Sequence, residues 1–172
     1  MAKQAAAFDP YELLAAFRRH HFSNFVVIGG FARVIHGTGE VTDGLDITPS
    51  LQPSTIARLE KALTDLEATR DDGKPIDLGD RSEPVIEQRT HAGELKIVPE
   101  PAGTRGYDDL RWHASTEALG QGIRPQIASP ADLARMLGAL GRDDQIPTLL
   151  RVRRLIELDR GLTRDRGHGI ER

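Results

Sequence analysis

The apolar positions of the chain fall into short blocks whose spacing changes between the helical and the extended period. In residues 11–20, Leu13, Leu14 and Phe17 share one side of a helix. Asp9-Pro10 just before them supplies an N-cap acceptor and a proline suited to the first helical position. Phe25-Val26-Val27-Ile28 is a short β-branched run ended by Gly29-Gly30, the pattern of a buried strand. Helical spacing resumes with Phe31, Val34 and Ile35. Leu45-Asp46-Ile47-Thr48 then alternates apolar and polar with period 2, as a half-buried strand does. Pro53 opens a helix predicted to reach about Ala68, with Ile56, Leu59, Leu63 and Leu66 on one stripe.

Residues 69–83 are polar and irregular and read as a loop. Two strands are expected at Val85–Thr90 and Glu94–Val98, joined by His91-Ala92-Gly93 as a three-residue hairpin connection. Pro99 to Gly106 is rich in turn formers. Shorter strands are predicted near Thr116–Leu119 and Ile123–Ile127. Ser129-Pro130-Ala131-Asp132 starts a helix to about Leu140, Gly141 interrupts it, and a last helix runs from about Gln145 to Asp159. Residues 1–8 are expected to fray and 161–172 to form a flexible basic tail, leaving one domain over 9–160. The order α-β-α-β-α-β-β-β-β-α-α predicts an α+β fold: a mixed β-sheet flanked by helices, with further helices at the C-terminus.

Composition narrows the function classes. With 172 residues there is room for one real core. A net charge of −3 gives no global basic field to attract nucleic acid, and the absence of cysteine excludes disulfides and thiolate metal sites. No apolar run approaches the roughly 20 residues of a membrane span, and no signal-peptide segment is visible, so a cytoplasmic protein with no membrane partner is expected.

The most informative stretch is VVIGGFARVIHGTGEVTDGLDITPS, which sets a strand, a Gly-Gly turn, a helix, a glycine-containing loop and an acidic strand in succession. Together with GELKIVPEPAGTRGYDDL and SPADLARMLGALGRDDQIPTLLRVRRLIEL downstream, it resembles the nucleotidyltransferase superfamily, particularly its small AbiEii/MenT-like members, many of which are toxins of toxin–antitoxin pairs. The likeness spans about residues 22–159 and rests on motif order. It implies a nucleotidyltransferase-like fold, a nucleoside triphosphate and Mg²⁺ as cofactors, and an acceptor that is RNA or protein. A glycine pair at a helix start lets backbone N–H groups approach phosphate oxygens, the role open to Gly29 and Gly30. The same pair also serves a tight turn or close helix–strand packing.

Nucleotidyl transfer uses carboxylates to hold two divalent ions roughly 4 Å apart. The resemblance implies acids at two alternate positions of one strand and at a third position on a later strand. Here the first is Gly44, the second Asp46 and the third Lys96, so Asp46 alone is left as a residual catalytic or metal-binding group. An ammonium beside the site repels a divalent ion by several kcal/mol at about 4 Å if the effective dielectric is near 20. One expectation is that Lys96 pairs with Asp46 as a fixed internal cation. The resemblance also implies a lysine and an aspartate in the C-terminal helices, where this chain has Leu137 and Gln145. Arg142 remains as a phosphate-binding candidate or an exposed loop residue. A bulge at Gly44 would provide an alternative site by turning Asp43 toward Asp46, with Glu94 completing a substitute trio.

The six histidines show no metal spacing. His36, nearest the proposed pocket, reads first as structural, and Thr42 as a loop cap. Between residues 142 and 172 eight arginines exceed six acids by two. Arg151, Arg153 and Arg154 therefore form a solvated face or a contact for RNA or DNA. Three functions follow. The first is a degraded nucleotidyltransferase that binds a nucleotide, nucleic acid or protein partner without efficient transfer, a pseudoenzyme. The second is an active toxin-type transferase. The third is a structural or regulatory protein that docks a partner such as an antitoxin.

Overall fold

The computed structural model describes residues 6–167. Helix α1 (Pro10–Arg19) begins as its sequence predicts: Asp9 accepts a hydrogen bond from the Glu12 amide, and Leu13, Leu14, Ala16 and Phe17 are buried. Strand β1 (Phe25–Ile28) is buried throughout and passes directly into α2 (Gly29–Ile35). Strand β2 (Gly44–Pro49) and helix α3 (Pro53–Asp65) follow. Next come a hairpin of β3 (Ile86–Thr90) and β4 (Gly93–Ile97), a single turn α4 (Tyr107–Leu110), and short strands β5 (Ser115–Thr116) and β6 (Gln126–Ile127). Ser129 caps α5 (Pro130–Ala139) through the Asp132 amide, and a 3-10 turn at Asp143–Gln145 leads into α6 (Ile146–Gly167).

The six strands form one mixed sheet in the order β3-β4-β2-β1-β6-β5. Strand β2 is antiparallel to β1 and parallel to β4, which places the chain's most informative segments side by side at the centre. Period-2 alternation divides the central strands cleanly. Leu45, Ile47, Leu95 and Ile97 point into the core, each 1% exposed or less, while Asp46 and Lys96 point the other way and stay half-buried. Helices α1 and α3 pack on one another, and the Phe17, Phe22 and Phe25 rings meet edge-on or stacked beneath them.

Several elements differ from their sequence expectation. The β3–β4 connection has two residues, not three, because Gly93 pairs with Thr90 as the first residue of β4; the Thr90 hydroxyl donates to Gly93 O and accepts from the Ala92 amide. Gly93 has φ +111°, and a β-carbon there would meet Phe8, which packs on the core from just before α1. The last helix does not stop near Asp159 but continues to Gly167. The expected tail is helical over 161–167, and 168–172 lie outside the described residues, as do 1–5 of the expected frayed start. Helix α4 has no counterpart in the sequence reading, since one turn with one buried side chain, Leu110, leaves no periodicity to detect.

Candidate functional site

The Gly29 turn and Asp46 meet where β1 ends. Antiparallel pairing sets Ile28 opposite Asp46, so the chain turns into α2 directly over the Asp46 side chain. Gly29 has φ +71°, and a β-carbon on it would lie 3.0 Å from Asp46 Cγ and closer still to Oδ2. Glycine is required there twice over, by the backbone angle and by the carboxylate beneath it. Gly30 is less tightly enclosed: its β-carbon would reach Glu40 Oε1 at 3.3 Å and Thr42 Oγ1 at 3.4 Å. The Thr42 hydroxyl donates to Gly44 O at 3.1 Å, capping the loop that enters β2. No side chain caps the start of α2 among the described residues.

The neighbours of Asp46 are set by register. On parallel β4, Lys96 lies opposite Asp46 and Glu94 opposite Gly44, and on β3 Glu87 lies opposite Lys96. Asp46, Lys96, Glu94 and Glu87 therefore share one face of the sheet, as the period-2 reading of Asp46 and Lys96 requires. The expected ion pair is not formed, however. The Lys96 ammonium sits 3.6 Å from Glu87 Oε1, while Asp46 has no ion pair within 4 Å among the described residues. Glu87 on the next strand competes for the cation, a contact that only the β3–β4 register reveals. Burial pushes the Asp46 carboxyl above the usual carboxylate range. Lys96 and Arg33 oppose the rise through their fields, and Glu87 and Glu94 add to it.

Arg33, not singled out from the sequence, is the second cation of this region. Its guanidinium grips Glu40 with two nitrogens, Nη2 to Oε1 at 2.9 Å and Nε to Oε2 at 3.1 Å, and Thr38 Oγ1 donates to the same carboxylate at 2.9 Å. Burial would raise the Glu40 pKa, but these bonds and the field of Arg142 outweigh it and hold the group below its ordinary value. Arg142 itself is exposed at the start of the 3-10 turn. The signal for Arg33 was its position off the Phe31–Val34–Ile35 stripe, but its partner lies across a glycine-rich loop.

The bulge that would have recruited Asp43 is absent. Pairing runs without interruption from Gly44 opposite Glu94 to Ile47 opposite Ile97, and Asp43 is exposed outside the strand. Glu94 is thus on the Asp46 face, whereas Asp43 is not brought to it by any re-aimed backbone. Leu137 is core at 1% exposure, and Gln145 is exposed in the 3-10 turn. Arg153 is no nucleic-acid contact: its side chain is only 11% exposed and bonds Glu117 at 3.1 Å and Glu157 at 3.0 Å. Arg151 and Arg154 are exposed. His36 is fully buried, its Nε2 2.7 Å from Ala128 O, and burial lowers its pKa. It is structural.

Two divalent ions do not fit this donor set. One carboxylate stands under the glycine turn, an ammonium occupies the register position beside it, and among the described residues no three His, Cys, Asp or Glu groups are placed to hold a metal. No helix of the described residues is long and apolar enough to cross a membrane.

A central antiparallel β1–β2 pair, a glycine turn at its end, an acidic second strand and a parallel third strand define a nucleotidyltransferase-like fold. Among solved structures, the chain is similar to the antibiotic-resistance factor ANT(2'')-Ia, an aminoglycoside nucleotidyltransferase, with a TM-score of 0.51 at 13% identity over 92% of this chain and 94% of that one. The likeness establishes the fold and does not extend to the AbiEii/MenT-like subgroup. No protein-family model and no curated protein matches the sequence.

Proposed function

We propose that this protein is a degraded nucleotidyltransferase-fold domain that binds a nucleotide at the Gly29–Gly30 turn without efficient transfer. The supporting observation is the register: Lys96 stands beside Asp46, and Gly44 stands two residues before it, the two positions at which the sequence resemblance implies carboxylates. Metal-assisted transfer depends on ions that neutralise the triphosphate and activate the acceptor. Here Lys96 and Arg33 supply fixed positive charge near Asp46, although Glu87 and Glu40 offset part of it. Fixed cations orient an anion but cannot lower the pKa of an attacking hydroxyl as a metal does. Binding survives this exchange and fast transfer does not.

The test is incubation with labelled nucleoside triphosphates, Mg²⁺ or Mn²⁺, and bulk tRNA or protein. The expected result is no incorporation, with thermal stabilisation by ATP or CTP that is equal in metal and in chelator. Incorporation that Asp46→Ala abolishes would establish the active toxin-type transferase instead. Absence of any response to nucleotides would favour a protein that docks a macromolecular partner.

A further inference from the structure

At the opposite end of β1 from Gly29 lies a cleft of about 620 Å³ between the C-terminal end of α1, helix α3 and the loop entering β6. Its floor is closed by Phe17, Phe22 and Phe25, which are 5% exposed or less. Its walls carry Arg18, Arg58, Arg124 and His21, and among the described residues no carboxylate lines it. For a chain of net charge −3 this is a local reversal of sign.

The way these arginines are held is more telling than their number. Elsewhere on the molecule Arg19, Arg33, Arg70, Arg89 and Arg135 are each tied to a carboxylate, whereas Arg81, Arg105, Arg142, Arg151 and Arg154 stand on the surface without an ion pair among the described residues. In the cleft, Arg18 donates to Gly122 O at 3.2 Å and Arg58 to His21 O at 3.4 Å. A carbonyl positions a guanidinium without neutralising it and leaves most of its five N–H donors free. Arg124 makes no hydrogen bond or ion pair among the described residues. The loop geometry supports the same arrangement: His21 takes φ +56°, unusual for a residue with a side chain, and its carbonyl is the acceptor that Arg58 uses. Gly122 has φ +74° with Arg18 Nη1 packed over it, so a β-carbon there would lie 2.8 Å from that nitrogen.

We propose that this cleft binds the phosphoryl group of a small molecule. Guanidinium groups match phosphate oxygens in pairs. The cleft also has the size of a small-ligand site, not of a groove that tracks a nucleic-acid strand. The assignment is independent of the function proposed for the Gly29–Asp46 region.

Inorganic pyrophosphate in chelator, free of divalent metal, is the probe, followed by calorimetry and by backbone amide spectra of the full chain. The expected result is salt-sensitive binding with shifts at Gly122, Ile123 and Arg124. Arg58 and Arg124 are exposed, so Arg124→Gln and Arg58→Gln are expected to keep the parent's circular dichroism spectrum and each to weaken binding about tenfold. Shifts confined to Gly29 and Gly30 would overturn the proposal, as would binding unchanged in both variants. So would capture of an RNA oligonucleotide with no response to pyrophosphate.

Discussion

Alanine at Gly29 incurs two separate penalties, and their separation tests the geometry of the site. A residue with a β-carbon at φ +71° carries a left-handed backbone cost of about 1–2 kcal/mol. Its methyl group would also lie 3.0 Å from Asp46 Cγ and overlap Oδ2, an overpacking cost of about 1–3 kcal/mol. Gly29→Ala is therefore expected to lose about 2–5 kcal/mol in urea denaturation, a large share of a typical domain's stability. Asp46→Ala removes Oδ2 and Cγ and leaves only Cβ, 3.2 Å from the new methyl group. In that background the overpacking cost falls while the backbone cost stays. The double-mutant cycle should show a favourable coupling of about 1–3 kcal/mol. Costs that add to within about 0.5 kcal/mol would refute the apposition of the glycine turn and Asp46.

Three other outcomes follow from burial and charge. The folded-state pKa of Asp46 is raised by burial, so its contribution to stability is present below the unfolded value near 3.9 and is lost as pH rises through the folded one. Asp46→Asn should thus raise the melting temperature at pH 7, with the gain shrinking as pH falls toward the ordinary carboxylate range. His36 shows the reverse: its pKa is lowered by burial, so its contribution is present above about pH 6.5 and is lost as pH falls through the folded value. Melting temperatures of His36→Gln between pH 7 and 5 should fall less steeply than those of the parent. Glu117→Ala strands the mostly buried Arg153, which Glu157 only partly compensates, and should cost about 3 kcal/mol in urea denaturation. Glu117→Leu combined with Arg153→Met should recover most of it; no recovery would show that the pair is not the source of the loss.

How far the sequence carried depended on the range of the interaction. Asp9-Pro10 and Ser129-Pro130 announced α1 and α5 because a cap and its partner amide lie within one turn. Asp46 and Lys96 were legible as face-mates because a strand's period fixes side. What period cannot fix is which neighbour wins a cation. Glu87 took Lys96 through a strand pairing, and Glu117 took Arg153 across 36 residues. The basic cleft was hidden for the same reason: Arg18 and Gly122 are 104 residues apart. The substitute trio failed on one local point, since Gly44 is held in regular pairing by Glu94 and a β-carbon there would sit 3.1 Å from Glu94 Cβ.

Whether Asp46 holds divalent ions is read by electron paramagnetic titration with Mn²⁺ in the presence of a nonhydrolysable nucleotide. The protein is expected to add no Mn²⁺ binding beyond that of the nucleotide alone, and Asp46→Ala to leave the titration unchanged. Two bound Mn²⁺ per chain, lost in Asp46→Ala, would contradict this.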